Sequence, residues 1–229
     1  MKRRISLQPL ALLGLLLAAC SADPTHIVVL NARAPGKQCD FSDNTLYVSD
    51  GSLDLRPYVV GGVPVVSSSY FQVFSWENNL QAVETSVNGQ IIDNGSGNDF
   101  VADSIVYEYQ YTDPSVTLAT ETANTHAVVT AGALASNNSV GAELVQPGAY
   151  TAISNSTAID TKAQTLLVTF QIFGKLVGGN SIHSNKVSFP VTFYRSSTTP
   201  LDCSAQGQVP NGGVCNIPGR DQPISCKNP

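Results

Sequence analysis

Few positions in this sequence are of a type that does chemistry. They are three histidines (His26, His126 and His183), a polar run at Asp93-Asn94-Gly95-Ser96-Gly97-Asn98-Asp99, and cysteines gathered toward the C-terminus. A histidine can exchange a proton near neutral pH, so one of them beside an acid and a serine would form a nucleophilic triad, which is defined by geometry rather than spacing. Here the three are isolated in sequence and fall in or beside expected strands and turns. Gly-x-Ser-x-Gly, His-Glu-x-x-His, a Walker loop and a strand-to-helix Gly-x-Gly-x-x-Gly are all missing from the sequence. Each histidine is therefore read as structural or solvent-facing. No catalytic residue is assigned, no cofactor is expected, and the chain is not expected to be an enzyme.

The run from Asp93 to Asp99 carries two carboxylates with amide and hydroxyl oxygens between glycines. Calcium takes six to eight oxygens on a flexible backbone, so Asp93 and Asp99 are the candidate ligands of a calcium loop. The EF-hand spacing is not met. The preferred reading is a polar connection whose Asn, Asp and Gly residues supply turn conformations, with no metal bound. Asp50-Gly51-Ser52-Leu53-Asp54 offers a weaker version of the same pattern.

The N-terminus begins with Lys2, Arg3 and Arg4, continues with an apolar stretch from Leu10 to Leu17, and closes with Leu17-Ala18-Ala19-Cys20. This is the order of an export signal. Its apolar core is too short for a helix crossing a bilayer core of about 30 Å, which needs roughly 20 residues. The segment resembles the signal of bacterial lipoproteins, whose lipobox these four residues match. That resemblance implies a diacylglycerol on the Cys20 thiol, cleavage before Cys20, and further acylation, such as palmitate, on the new amine. Two or more acyl chains hold a protein to a bilayer stably. Ser21 follows the cysteine where an aspartate would favour the inner membrane, so by the enterobacterial pattern the resemblance favours the outer membrane.

Cysteine arithmetic points to the same compartment. Of five cysteines, Cys20 accounts for the odd one and leaves Cys39, Cys203, Cys215 and Cys226. In an oxidising compartment these four should form two disulfides, with three pairings open. Cys215 with Cys226 and Cys39 with Cys203 is the favoured pairing, since it closes a short tail loop and staples the tail to the start of the domain. A zinc site is disfavoured because no Cys-x-x-Cys is present.

Three of the 12 basic residues and none of the 17 acidic ones lie in residues 1–19, so the mature chain carries 9 against 17, a formal charge of −8. No Lys/Arg cluster follows the signal, so nucleic acid is not an expected partner. The expected partners are the membrane, through Cys20, and an envelope protein of unknown identity.

Around these positions the sequence reads as all-β. Short runs of Val, Ile, Thr and aromatics alternate with Gly, Asn, Asp, Ser and Pro clusters. In 105–112, Ile105, Tyr107, Tyr109 and Tyr111 share one face by period two. That stripe is expected to be core rather than a sugar-stacking platform, and Phe71, Phe74 and Trp76 are read as core too. Residues 187–194 alternate in the same way, and Pro190 implies an edge or a bulge there. The run 166–173 is apolar on both faces, which suits a covered central strand paired with 186–194. Asn88-Gly89 marks a hairpin. Further strands are expected near 26–32, 45–49, 53–60, 69–76, 125–131 and 140–145, and no amphipathic helix follows the signal. Nine or ten strands without crossover helices predict an antiparallel β-sandwich, immunoglobulin-like or related.

The expected organisation is a signal peptide (1–19), a lipidated tether (20–25), a β-sandwich domain (26–197) and a Pro/Gly/Cys-rich tail (198–229). The tail is read as an appendage of the sandwich, fixed by its disulfides. The expected function is a structural or protein-interaction role in the bacterial envelope, with a saccharide- or calcium-binding module as the alternative.

Overall fold

Period-two alternation becomes two sheets that share one core. The computed structural model describes residues 25–229 apart from 36–39, 42, 44, 69, 88–89, 213–214 and 216. The lipobox with Cys20, Cys39 and the Asn88-Gly89 turn therefore lie outside the described residues. In chain order, β1 (Ile27–Arg33), β2 (Tyr47–Val48) and β3 (Gly51–Asp54) precede a hairpin of β4 (Tyr58–Val60) and β5 (Val63–Val65). Then come β6 (Phe71–Asn78), a second hairpin of β7 (Glu84–Val87) and β8 (Gln90–Ser96), β9 (Phe100–Tyr111), β10 (Glu121–Val129) and β11 (Ser139–Glu143). After α1 (Pro147–Ser154) follow β12 (Gln164–Leu176), β13 (Ser181–His183) and β14 (Val187–Tyr194), with β15 (Val209–Pro210) and β16 (Cys226–Lys227) in the tail.

Ten of these strands build an all-β sandwich. A four-stranded sheet has the order β11-β6-β1-β2, and a six-stranded sheet has the order β10-β9-β12-β14-β3 with β13 beside β12. All pairings in the two sheets are antiparallel except β14 with β3, which run parallel from Val191 opposite Gly51 to Tyr194 opposite Asp54.

Aromatic rings join the layers. Phe74 of β6 meets Phe170 of β12 at 4.8 Å and Phe189 of β14 at 6.0 Å, and Trp76 meets Phe100 edge-on at 6.1 Å. All five are buried, and such pairs add roughly 0.5–1.5 kcal/mol beyond area burial. On the far face of the smaller sheet Arg33 is also buried. Its guanidinium donates to Ser75 Oγ, Ala135 O and Asn138 O, each at 2.9 Å, and so pins the turn before β11.

The structure departs from the sequence reading at identifiable points. β12 is central, between β9 and β14, but only one face is fully buried; Leu167, Thr169, Gln171 and Phe173 are half-exposed, so no further layer covers them. Pro190 lies opposite Leu167 in unbroken register. Over Val187–Pro190 the strand is an edge, as Pro190 implied, because β3 begins to pair only at Val191. The strand expected over 53–60 breaks after Asp54, and the Gly61-Gly62 turn of the following hairpin is a two-residue signal that the sequence reading passed over.

Helix α1 was not expected. It buries only Ala149 and Ile153, and its cap comes from far away: Glu121 accepts the amides of Ala149 at 2.7 Å and Gly148 at 3.1 Å. A carboxylate there satisfies orphan donors and complements the helix dipole.

Candidate functional site

As the outer strand of its sheet, β3 would present a row of unpaired backbone groups to any extended partner. The C-terminal tail covers them. Asp54 N donates to Gly219 O and Asp221 N to Ser52 O, both at 2.9 Å, with Leu53 and Arg220 in an antiparallel bridge between them. At Gly219 φ is +84°, and a Cβ would stand 2.5 Å from Asp54 O, so both conformation and contact require glycine.

Beneath this seam the Asp54 carboxylate is fully buried and accepts four hydrogen bonds. Oδ1 takes the amides of Arg56 and Ser196 at 3.0 Å, and Oδ2 takes Ser196 Oγ at 2.6 Å and Ile224 N at 3.0 Å. One side chain thus ties β3 to the chain after β14 and to the tail.

Beside Asp54 lies an arginine knot. Arg220 is fully buried; its Nη2 donates to Gln72 Oε1 at 3.1 Å, its Nε to Asp221 Oδ2 at 3.3 Å, and its guanidinium stands 4.8 Å from the Tyr70 ring centre. Nη1 finds no acceptor among the described residues. Asp221 holds a left-handed φ of 54°, and its Oδ1 accepts Ser52 N at 2.9 Å and Tyr70 Oη at 3.0 Å. Burial first, and then the Asp221 charge, push the Tyr70 phenol well above its ordinary value, so it serves as a fixed donor. Asp50, Ser52, Tyr70, Gln72 and Asp221 line a cleft of about 420 Å³ together with Ala34, Pro35, Val48 and Gly51. The cleft is large enough for a small ligand, but Tyr70, Gln72 and Asp221 are committed to holding the tail, and Asp50 accepts Ser49 Oγ at 2.8 Å.

A broader hollow of about 840 Å³ opens beside α1, with Asp113, Ser115, Ser156 and Asp160 in its wall. Its carboxylates are also engaged. Asp113 accepts Ser115 Oγ at 2.7 Å, Ser115 N at 3.0 Å and Ser156 Oγ at 3.0 Å, and the Ser115 hydroxyl chiefly holds its carboxyl below the usual range. Asp160 pairs with Arg195.

The residues singled out from sequence do not converge. His26 and His126 are exposed on separate elements. His183 Nδ1 lies 2.9 Å from Gln171 Nε2 and 3.0 Å from Ser184 O. No histidine bonds a carboxylate among the described residues. Residues 93–96 are part of β8 rather than a wrapping loop. Asp99 is buried, with its oxygens on Ser96 N at 2.9 Å and Ala131 N at 2.8 Å. Among the described residues no group of three or more His, Cys, Asp or Glu side chains is placed to hold a metal ion.

Tyr107 lies in the core with Tyr109 and Tyr111 packed against it, as expected of the stripe, and Trp76 is buried between the sheets. Phe71 is the exception. It has the opposite parity to Phe74 and Trp76, is 37% exposed, and meets Phe41 edge-on at 6.4 Å.

Disulfide pairing differs from the favoured one. Cys203 bonds Cys226, with Cα atoms 5.5 Å apart, and Cys215 is disulfide-bonded as well. Of the three possible pairings, only the one that joins Cys39 to Cys215 contains this bond. The tail packs into the sandwich edge, with Arg220, Ile224 and Cys203 all buried. Sequence reasoning missed Arg220, whose Gln72 partner lies 148 residues away, and met Asp54 only within a weak metal-loop pattern, whereas 51–54 is a strand and Asp54 accepts donors up to 170 residues away.

Comparison with protein families, curated proteins and solved structures gives no match to this chain.

Proposed function

We propose that this chain is a lipid-anchored protein of a bacterial cell envelope, held by acyl groups on Cys20, at the outer membrane in preference to the inner. It acts structurally or through protein contacts rather than by catalysis. The observation that carries this reading is the N-terminal sequence, in which Lys2-Arg3-Arg4, an apolar stretch and Leu17-Ala18-Ala19-Cys20 follow one another. Three features of the fold support it. β1 starts at Ile27, which leaves a short tether after Cys20. The Cys203–Cys226 disulfide suits an oxidising compartment. The buried carboxylates Asp54 and Asp99 are spent on backbone amides and Ser196 rather than turned to a cleft.

Fractionation tests the proposal. With inner and outer membranes separated on a density gradient, the wild-type chain is expected with the outer membrane and Cys20→Ala in the soluble fraction. A wild-type chain that is soluble, or a Cys20→Ala chain that stays on the membrane, would reject it.

A further inference from the structure

We infer that the end of the sandwich from which the chain runs back toward Cys20 is a membrane-contact surface, seated on the lipid bilayer itself. This rests on the lipid-anchor reading above and adds which face the anchor presents.

The exit point is fixed by two contacts. Ile27 pairs with Asn78, and the amide of Asn79 donates to His26 O at 2.8 Å. Four segments meet around it: 78–83, 96–99, 129–138 and 176–180. The fully buried Asn78 ties them together, its Nδ2 donating to Asn98 O at 2.8 Å and Val129 O at 3.3 Å while its carbonyl accepts Gly132 N at 2.9 Å. Val177 N donates to Asp99 O at 2.9 Å, Gly178 N to Gly97 O at 2.8 Å and Gly97 N to Val83 O at 3.2 Å. The end is therefore one continuous, cross-braced surface.

Its composition is unlike the rest of this acidic chain. The four segments contain a single charged residue, Asp99, which is buried with both oxygens on amides. Their exposed large apolar side chains are Val83 at 52%, Leu134 at 65% and Val177 at 54%, with Val128 at 59% beside them on β10, set among the uncharged Asn79, Gln81, Asn137 and Asn180. Charges border it: Glu84, Asp103 and Lys175 are exposed, and the Glu77 carboxylate accepts Asn79 Nδ2 at 3.2 Å. The opposite end, where β9 and β14 finish, carries Arg56, Asp113, Asp160, Lys162 and Arg195.

Tether length selects the occupant. The five residues that follow Cys20, Ser21 to Thr25, reach about 17 Å when extended, whereas the 13 residues of β12 span about 43 Å. Only the near end lies within that reach while the domain stands upright. A chain with a formal charge of −8 is repelled by anionic headgroups, and this charge-poor end is where it can approach them most closely.

The test uses the full chain, purified with its anchor and placed in phosphatidylethanolamine/phosphatidylglycerol vesicles with brominated acyl chains. A tryptophan is introduced at Val177 (Val177→Trp) or, at the opposite end, at the 54% exposed Val60 (Val60→Trp). Trp76, buried in the core, is a common background. Both substituted positions are exposed, and matching melting temperatures would show that both variants fold. The Val177→Trp signal is expected to fall about twofold or more while the Val60→Trp signal is unchanged. Equal, unquenched signals in a chain whose intact mass carries acyl groups would overturn the contact surface and leave the anchor standing. An emission from Val177→Trp that is blue-shifted in native membranes yet unquenched by brominated lipid would overturn it in favour of a protein occupant. A mass without acyl groups would remove the anchor reading, and this inference with it.

Discussion

The guanidinium of Arg220 lies 4.8 Å from the centre of the Tyr70 ring, and through that contact the C-terminal tail is held inside the edge of the sandwich it closes. Tyr70 can sit there because residue 51 is glycine, since a Cβ on Gly51 would fall 1.7 Å from the Tyr70 hydroxyl oxygen. The last segment of the chain thus completes the fold and protects an edge that would otherwise accept a foreign strand.

Arg220→Ala removes a fully buried cation and takes away the Arg220 donor from Asp221 Oδ2 and from Gln72 Oε1. A buried acceptor such as Gln72 Oε1 left unsatisfied costs about 1–3 kcal/mol, and the space vacated by the side chain adds to the loss. The expected result is a matching loss in denaturant unfolding, with faster hydrogen exchange at Asp54 and Asp221, the amides that tie the tail to β3. Unchanged exchange at these amides would show that the tail holds without its arginine.

Asp54→Ala strands four donors at once, three backbone amides and the Ser196 hydroxyl. Each buried donor left unsatisfied costs about 1–3 kcal/mol, partly recovered by relaxation, so a loss of about 3 kcal/mol or more is expected. Thermal unfolding measures it. A shift no larger than that of Asp43→Ala, an exposed aspartate bonded locally to Thr45, would contradict the role of Asp54 as a knot.

Six of the eight tyrosines, Tyr70, Tyr107, Tyr109, Tyr111, Tyr150 and Tyr194, have phenols raised above their ordinary value, chiefly by burial. Tyr111, Tyr150 and Tyr194 are pushed up to about 12. A folded-state value above the unfolded one contributes stability that is complete below about pH 10 and is lost as pH rises through the folded value. Phenolate absorbance should therefore show only a minority of the eight ionised at pH 11 in the folded chain, with the rest appearing as it unfolds. Full ionisation near pH 10 without unfolding would mean that the stripe on β9 is an exposed platform.

The parts that could be read from sequence were those that depend on local alternation. Ile105, Tyr107, Tyr109 and Tyr111 declare their face by spacing alone, while Trp76 lies in the core as expected of a lone tryptophan in a sandwich. Phe71 was misread because grouping it with Phe74 ignored its odd offset, which turns it to the outer face. What sequence did not reveal depends on long-range closure. The cap of α1 is Glu121, 28 residues before Ala149; Arg220 is satisfied by Gln72; and the pairing of Cys203 with Cys226 follows from where the tail crosses β3. None of these leaves a spacing signature near the residue itself.

The anchor on Cys20 is the central claim, and intact mass tests it most directly. The chain is purified from native membranes beside Cys20→Ala and weighed with and without reduction. The account predicts a wild-type chain that starts at Cys20 and carries two or three acyl chains, and that gains about 4 Da on reduction as two disulfides open. Peptide mapping should then join Cys203 to Cys226 and Cys39 to Cys215. A mature chain without acyl mass, recovered equally from wild type and Cys20→Ala, would contradict the lipid anchor and with it the location proposed for this protein.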